Sequence, residues 1–306
     1  MTRPRSRREA SAAQRENLKI AFDAIRANKL RSVLTVLGNV VAVMSVILVV
    51  AVIDGVNTYV GDKILEQGLQ VLTIDKYGFI TDDDAFREAE KRRDLTLWDA
   101  RALEDRMRLA ARVVAQIEAV KRVHGGRTEL ANVTVRGTTD GYEDVGKYEV
   151  TEGRHLDASD VERRRPVAVI GSDVAASLFP RVDPVGQTVK VAGQALLVVG
   201  VLQSRGNVFG QSQDNIVVTT LGQFEKMFGA HRSLTILVKA NPGVDLDRAE
   251  DEARVVLRSE RHVPLGKPDD FGISTAETFR ALYQSLTGGI FAGTIALVAI
   301  SLVVGG

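Results

Sequence analysis

Cysteine is absent from this chain of 306 residues. No disulfide staples it, no thiolate holds zinc and no cysteine serves as a nucleophile, so the fold must rest on its own packed core. Aromatic residues make up only 5%, too few for a base-stacking platform, and nucleic acid is not an expected partner. Charge is missing locally: none occurs from Ser32 to Ile53, and none after Arg280. A helix of 22 residues reaches about 33 Å, enough for a hydrocarbon core of about 30 Å, so residues 32–53 and 285–306 are expected to be transmembrane helices.

The charged residues that are present divide unevenly. Up to Arg31 there are nine Lys and Arg against three acids, although the whole chain carries 40 basic and 39 acidic residues. A basic head therefore precedes an acidic body. The positive-inside rule places residues 1–31 in the cytoplasm and the body from Asp54 to Arg280 on the far side of the membrane. The apolar part of the first run is too long for a cleaved signal, and no small-x-small site precedes Asp54.

Leu18, Phe22 and Ile25 recur at helical spacing beside Lys29 and Arg31, the pattern of an amphipathic helix in the membrane interface. Within the first run, Thr35, Gly38, Ala42 and Ser45 form a stripe of small or polar residues next to Asn39, and Gly289 and Gly293 share the small-xxx-small spacing, so these seven positions are candidates for span packing. Ile53, Val56, Val60 and Ile64 continue the apolar stripe past the membrane as a helical stalk over residues 54–68. Its expected partner is the stretch around Phe279, Leu282 and Leu286, or a second copy of the chain. The closing run stops inside an apolar stretch, and the expectation is that further spans follow in a longer protein.

The outer body reads as α+β. "LQVLTID", "RVVAQIEAV" and "ELANVTVRG" are strand-like, Thr96 to Asp99 forms a capping box that opens a helix to about Arg108, and "DDDAFREAEKRRD" is a solvated helix or loop. From Gly153 the texture becomes richer in strands: "RRPVAVIGSDVAASLFP" is strand, turn and helix, "QTVKVAGQALLVVGVL" is two strands about Gly193, and "NIVVTT" leads into a helix near Leu221 to Phe228. "LTILVKA" and a helix from near Val244 return to the earlier style. The fold class expected is an α+β domain over residues 69–152 and 230–280 with a β-rich insertion at 153–229, flanked by two transmembrane α-helices.

Catalytic motifs fail inspection. No G-x-x-x-x-G-K-[ST] phosphate loop exists, Gly171-Ser172-Asp173 lacks the G-x-S-x-G spacing, and His124, His155, His231 and His262 form no ligand pair. No catalytic, cofactor-binding or metal residue is expected, and no enzyme activity of this chain itself.

Asn28-Lys29-Leu30-Arg31-Ser32 followed by Leu34-Thr35 and Leu37-Gly38 resembles the start of the first span in the MacB/FtsX-like ABC transporter permease family. "VAVIGSDVAASLFP", "DPVGQTVKVAGQALLVVGVL", "GNVFGQSQDNIVVTT" and the final "ISLVVGG" follow in the family's order. The resemblance implies a four-span permease of the bacterial inner membrane with a large periplasmic domain between its first two spans. It also implies a cytoplasmic ABC ATPase subunit, a second permease copy or paralogue, the lipid bilayer and, in some members, a periplasmic adaptor or outer-membrane protein as partners. Its function would be to couple ATP hydrolysis to periplasmic movement for export or extraction of a substrate. Span, outer domain and span is also the architecture of a membrane-anchored sensor, and related outer domains regulate periplasmic hydrolases, so both remain alternatives.

Overall fold

The computed structural model describes residues 70–275 except 79, 81, 82, 127, 209 and 210, and scattered helical positions between 29 and 51 and between 278 and 299. The chain divides into two units, one of residues 63–279 and one made of residues 1–62 and 280–306.

The larger unit is a mixed α/β domain built on one ten-stranded sheet. Its first strand, β1 (Val71–Asp75), buries alternate residues, as the apolar-polar alternation of "VLTID" requires. Two helices follow, α1 (Asp83–Glu90) and α2 (Leu97–Arg106). The former is solvated except at Ala89. The latter starts at the expected capping box, where Asp99 Oδ2 accepts from the Thr96 backbone N–H at 2.7 Å and from its hydroxyl at 2.9 Å.

A long hairpin comes next, β2 (Ala110–Gly125) and β3 (Thr128–Thr138), antiparallel throughout with a shift in register between Lys121 and Val123. Three short elements then lie between the hairpin and the next buried strand: α3 (Tyr142–Gly146), β4 (Val150–Gly153) and α4 (Ala158–Glu162). None has the length to show a sequence period, and the texture of the sequence predicts none of them.

The stretch read as strand, turn and helix is β5 (Val167–Ile170) and α5 (Ser172–Leu178), and the two strands about Gly193 are β6 (Thr188–Val191) and β7 (Gln194–Leu202). Ala192 and Gly193 both have positive φ, 47° and 79°, which is the tight hairpin turn that suits the right-handed strand twist. A left-handed alanine costs about 1–2 kcal/mol, so Ala192→Asn is expected to raise stability by about 1 kcal/mol, read as a higher urea midpoint at unchanged slope. The small hairpin of β8 (Asn207–Val208) and β9 (Gln211–Ser212) precedes β10 (Ile216–Thr220) and α6 (Leu221–Phe228). The chain closes with β11 (Thr235–Ala240), α7 (Leu246–Glu260) and β12 (Gly272–Ser274).

The strand order is β12-β1-β11-β2-β3-β10-β5-β7-β4, and β6 pairs with both β2 and β7. Six strands thus close into a ring, β2-β3-β10-β5-β7-β6 and back to β2. Strands from both sides of the change in texture at Gly153 share this ring. β1, β11 and β12 extend from β2 as a wing.

Both faces of the sheet are covered, which explains why "VVAQI" and "NIVVTT" are apolar runs and not alternating ones. Val113, Ala115, Ile117, Val217 and Ile236 enter one core with residues of α2, α5, α6 and α7, while Val114, Ile216, Val218 and Tyr142 enter a second core. Close approach of α6 to the hairpin is possible because position 137 is glycine: a Cβ there would lie 2.3 Å from Cβ of Phe224, the largest fully buried side chain among the described residues.

Candidate functional site

The strands nearest the chain's two apolar runs are neighbours. β1 follows the first run and β12 precedes the second, and they pair antiparallel with Thr73 opposite Ser274 and Asp75 opposite Gly272. In an antiparallel pair the start of one strand lies beside the end of the other. The chain therefore enters β1 and leaves β12 at the same end of one two-stranded edge.

At the opposite end of that edge the backbone makes a close contact. Gly78 has φ 69° and a Cβ on it would lie 2.9 Å from the Gly272 Cα, so both positions need the bare backbone. Asp75 holds the turn by accepting from the N–H groups of Tyr77 and Gly78. Arg92 donates to the carbonyls of Lys76 at 2.9 Å and Tyr77 at 3.0 Å, and Lys76 pairs with Asp94 at 2.8 Å.

Behind this edge stands an ionic cluster centred on Arg261, only 4% exposed, at the C-cap of α7. Its guanidinium donates to Asp270 at 2.8 Å, to Asp99 at 3.2 Å, and to the carbonyls of Arg93 at 2.9 Å and Asp94 at 3.3 Å. Arg93 answers by pairing with Asp270 at 3.2 Å and donating to the Arg261 carbonyl. One and two turns earlier on α7, Arg258 and Arg254 both hold Asp269. Burial pushes the Asp270 carboxyl up, but hydrogen bonds and charge from Arg261 and Arg93 outweigh it and hold the group below its ordinary 3.8.

Two further carboxylates organise the ring. Asp160, fully buried, takes Arg154 at 2.6 Å and Arg165 at 3.3 Å. Asp214 accepts from the Ser204 hydroxyl at 2.6 Å and the N–H groups of Arg205 at 2.7 Å and Gly206 at 3.0 Å, which ties the loop before β10. In both, burial raises the pKa, and the hydrogen bonds, aided at Asp160 by the charge of Arg154, bring it below 3.8. A folded-state value below the unfolded one adds stability that is complete above the ordinary range and is lost as pH falls through the folded value. The melting temperature is therefore expected to be flat above about pH 5 and to fall below about pH 4, with a shallower fall in Asp160→Asn, as scanning calorimetry across that range would show.

The residues singled out as catalytic possibilities have structural roles. Gly171 is the N-cap of α5, where a Cβ would lie 2.0 Å from the Asp214 carbonyl, so its place in the strand-to-helix turn is set by close packing. The Ser172 side chain is among the groups that hold the Asp214 carboxyl below its ordinary value. His155 meets the Tyr142 hydroxyl at 3.1 Å, His262 lies against the Ser259 carbonyl, and His124 is half exposed beside Glu129. No group of three or more His, Asp or Glu that could hold a metal occurs among the described residues.

Of the span-packing positions, Gly38, Ser45, Gly289 and Gly293 are described and helical, and Lys29 of the basic flank is also helical. The Ser45 hydroxyl donates to the Val41 carbonyl at 2.8 Å. Thr35, Asn39 and Ala42, the stalk residues Ile53, Val56, Val60 and Ile64, and the interfacial Leu18, Phe22, Ile25 and Arg31 lie outside the described residues, as do Phe279, Leu282 and Leu286. No helix among the described residues is long and apolar enough to cross a membrane. Those described between 30 and 50 nonetheless expose ten large apolar side chains, from Leu30 at 80% to Val50 at 42%.

Residues 32–256 match the family model of the MacB-like periplasmic core domain. The chain belongs to that family. Among curated relatives of this MacB-like chain, the macrolide export ATP-binding/permease protein MacB of Azoarcus sp. (strain BH72) is 33% identical over 298 residues, covering 95% of the chain and 43% of the relative. The uncharacterized ABC transporter permease YknZ of Bacillus subtilis (strain 168) is 26% identical over 296 residues, covering 95% of the chain and 71% of the relative. The MacB-like chain thus spans less than half the length of the first of these. Those relatives are ABC transporter permeases, one of them joined to an ATP-binding part.

The fold of the MacB-like domain is shared with two solved structures. The periplasmic region of MacB from Actinobacillus actinomycetemcomitans superposes with a TM-score of 0.61 at 21% identity, covering 74% of this chain and 98% of that one. The extracellular domain of YknZ, a noncanonic ABC-type transporter from Gram-positive bacteria, gives 0.53 at 19% identity, covering 67% and 100%.

Proposed function

We propose that the chain is part of a permease of an ABC transporter in the bacterial inner membrane, with residues 32–53 and 285–306 as its first two spans and the domain between them in the periplasm. The observation that carries the coupling role is the common exit of both chain ends from the β1/β12 edge. Helical connectors joined to one end of a paired edge deliver their movement to a single place in the sheet. The exposed apolar side chains between Leu30 and Val50 cover about half the circumference of a helix at 100° per residue, with Gly38 and Ser45 on the other half, which suits a span that faces lipid on one side and another helix on the other.

In this reading a cytoplasmic ABC ATPase hydrolyses ATP, a second permease copy or paralogue completes the membrane unit, and the stalk of residues 54–68 carries the movement outward for export or extraction of a substrate. A periplasmic adaptor or outer-membrane protein is a further partner of the assembled transporter. The periplasmic domain divides in function between the part at 69–152 with 230–280, which is joined to the stalk, and the part at 153–229, which lies farther along the chain from both connectors. Single cysteines at Val56 and Val60 in the full-length protein test the reading, because residues 1–306 contain no other thiol. Crosslinking between copies is expected to differ with and without ATP. Identical yields in both states would overturn stalk movement.

A further inference from the structure

The cluster behind the β1/β12 edge joins two stretches of chain that are far apart in sequence, residues 93–99 and 261–270. Asp99 belongs to the first turn of α2, Arg261 to the end of α7, Arg93 and Asp94 to the segment after α1, and Asp270 to the strap that runs from α7 into β12. Each is held by the same guanidinium. Asp99 serves two elements at once, since the carboxylate that caps α2 is also the one that receives Arg261. Arginine suits this position because its planar fork can reach several acceptors at once, which the point charge of lysine cannot.

The strap itself has little apolar anchorage. Leu265 is 99% exposed, whereas Phe271 is buried at the entrance to β12. The strap is held by arginines of α7: Arg258 donates to the carbonyls of Pro264 at 2.9 Å and Lys267 at 3.0 Å and to Asp269, and Arg254 donates to Asp269 at 3.0 Å. β12 has three residues and, among the described residues, pairs with β1 alone. Three ladder pairs at a sheet edge give little resistance to fraying, so the strand's place depends on what grips the chain just before it.

We propose that Arg261 is the pin of a clasp that holds β1, β12, α2 and α7 as one rigid body, through which movement of either connector reaches the sheet. The transmission half of this statement rests on the permease reading, and the clasp itself does not. With the pin in place, pulling on β12 pulls on Asp270, then on α7 and, through Asp99, on α2. Without it, the buried Asp99 and the partly buried Asp270 lose the cation they share and keep only Thr96 and Arg93, two carbonyls lose a donor, and β12 can move away from β1 while the ring of six strands stays closed. Arg261 acts here as a positioning residue.

The test is hydrogen exchange on the full-length protein in nanodiscs, comparing the parent with Arg261→Met and the milder Arg261→Lys. Exchange in residues 70–78 and 270–275 is expected to quicken by about tenfold or more in Arg261→Met and by less in Arg261→Lys, while 167–170 and 216–220 in the ring keep the parent rate. Unchanged exchange at 70–78 and 270–275 in both variants would overturn the clasp. So would equal acceleration in the ring, which would mean a general loss of stability. A second arm adds Thr73→Cys and Ser274→Cys to Arg261→Met, which places two thiols directly across β1 and β12, with no other cysteine in residues 1–306. Oxidation is expected to restore slow exchange at the edge, and failure to restore it would show that the pin does not act by keeping those strands together.

Adding the ATPase partner and ATP tests transmission separately. A nucleotide-dependent change in exchange over residues 110–125 is expected in the parent and in the oxidised rescue, and is expected to vanish in Arg261→Met with reduced thiols. A parent with a protected edge and no response to ATP would overturn the permease reading and leave the clasp standing.

Discussion

Phe224→Ala is expected to destabilise the periplasmic-type domain by about 3–5 kcal/mol, which for a unit of this size lowers the melting temperature by roughly 6–20 °C. The ring is fully buried, lies 4.7 Å from the Phe228 ring and sits over Gly137, so its removal opens a cavity between α6 and the hairpin of β2 and β3. Neither helix nor strands can close that gap freely, because α6 begins directly after β10, which is itself a member of the closed ring. Gly137→Val attacks the same contact from the other side by forcing a Cβ to within 2.3 Å of Phe224. Thermal melting followed by far-ultraviolet circular dichroism measures both. A shift below about 3 °C in Phe224→Ala would mean that α6 can settle onto the hairpin and that the close packing does not hold it.

Val43→Arg combined with Met44→Arg is expected to abolish stable insertion of the first apolar run. Each arginine near the centre of a spanning helix costs about 2.5–3.5 kcal/mol on insertion scales, so the pair adds roughly 5–7 kcal/mol. Val43 and Met44 lie near the middle of the charge-free run and are 55% and 65% exposed, with no protein core to receive them. The measurement is resistance to alkaline extraction from membranes, together with protease access to the basic head. Complete resistance in the double variant, with the head still protected, would show that residues 32–53 do not span the bilayer. The circular dichroism spectrum of the domain should not change, because neither residue contributes to its cores.

Local features of the domain were legible because local chemistry specifies them. The capping box at Thr96 needs only a hydroxyl and a carboxylate three residues apart. The turn at Gly193 needs two residues of positive φ between two apolar strands. Apolar runs such as "VAVI" announce strands covered on both faces, and β5 is buried along its whole length. By contrast β4, β12, α3 and α4 are three to five residues long, shorter than the windows in which a period of two or 3.6 can be recognised.

The candidate site was legible only at its margins. Asp99 was visible as a cap, but nothing near it in sequence indicates that Arg261, 162 positions away, completes its coordination. Asp214 likewise reads as an ordinary polar residue until the fold brings Ser204 and two backbone N–H groups around it. The signal that could have pointed to the clasp is the density of arginine at positions 254, 258 and 261, one face of a helix, followed by Asp269 and Asp270.

By itself the sequence determined the two apolar runs, the basic head, the strand and helix character of most of the domain and the family resemblance, since each depends on composition or on residues within a few positions of one another. Only the tertiary structure decided that β6 closes a ring against β2, that both connectors leave one paired edge, and that a single buried arginine joins two helices to that edge. Those features depend on which distant segments meet, and periodicity along a chain carries no record of contacts made across more than sixty residues.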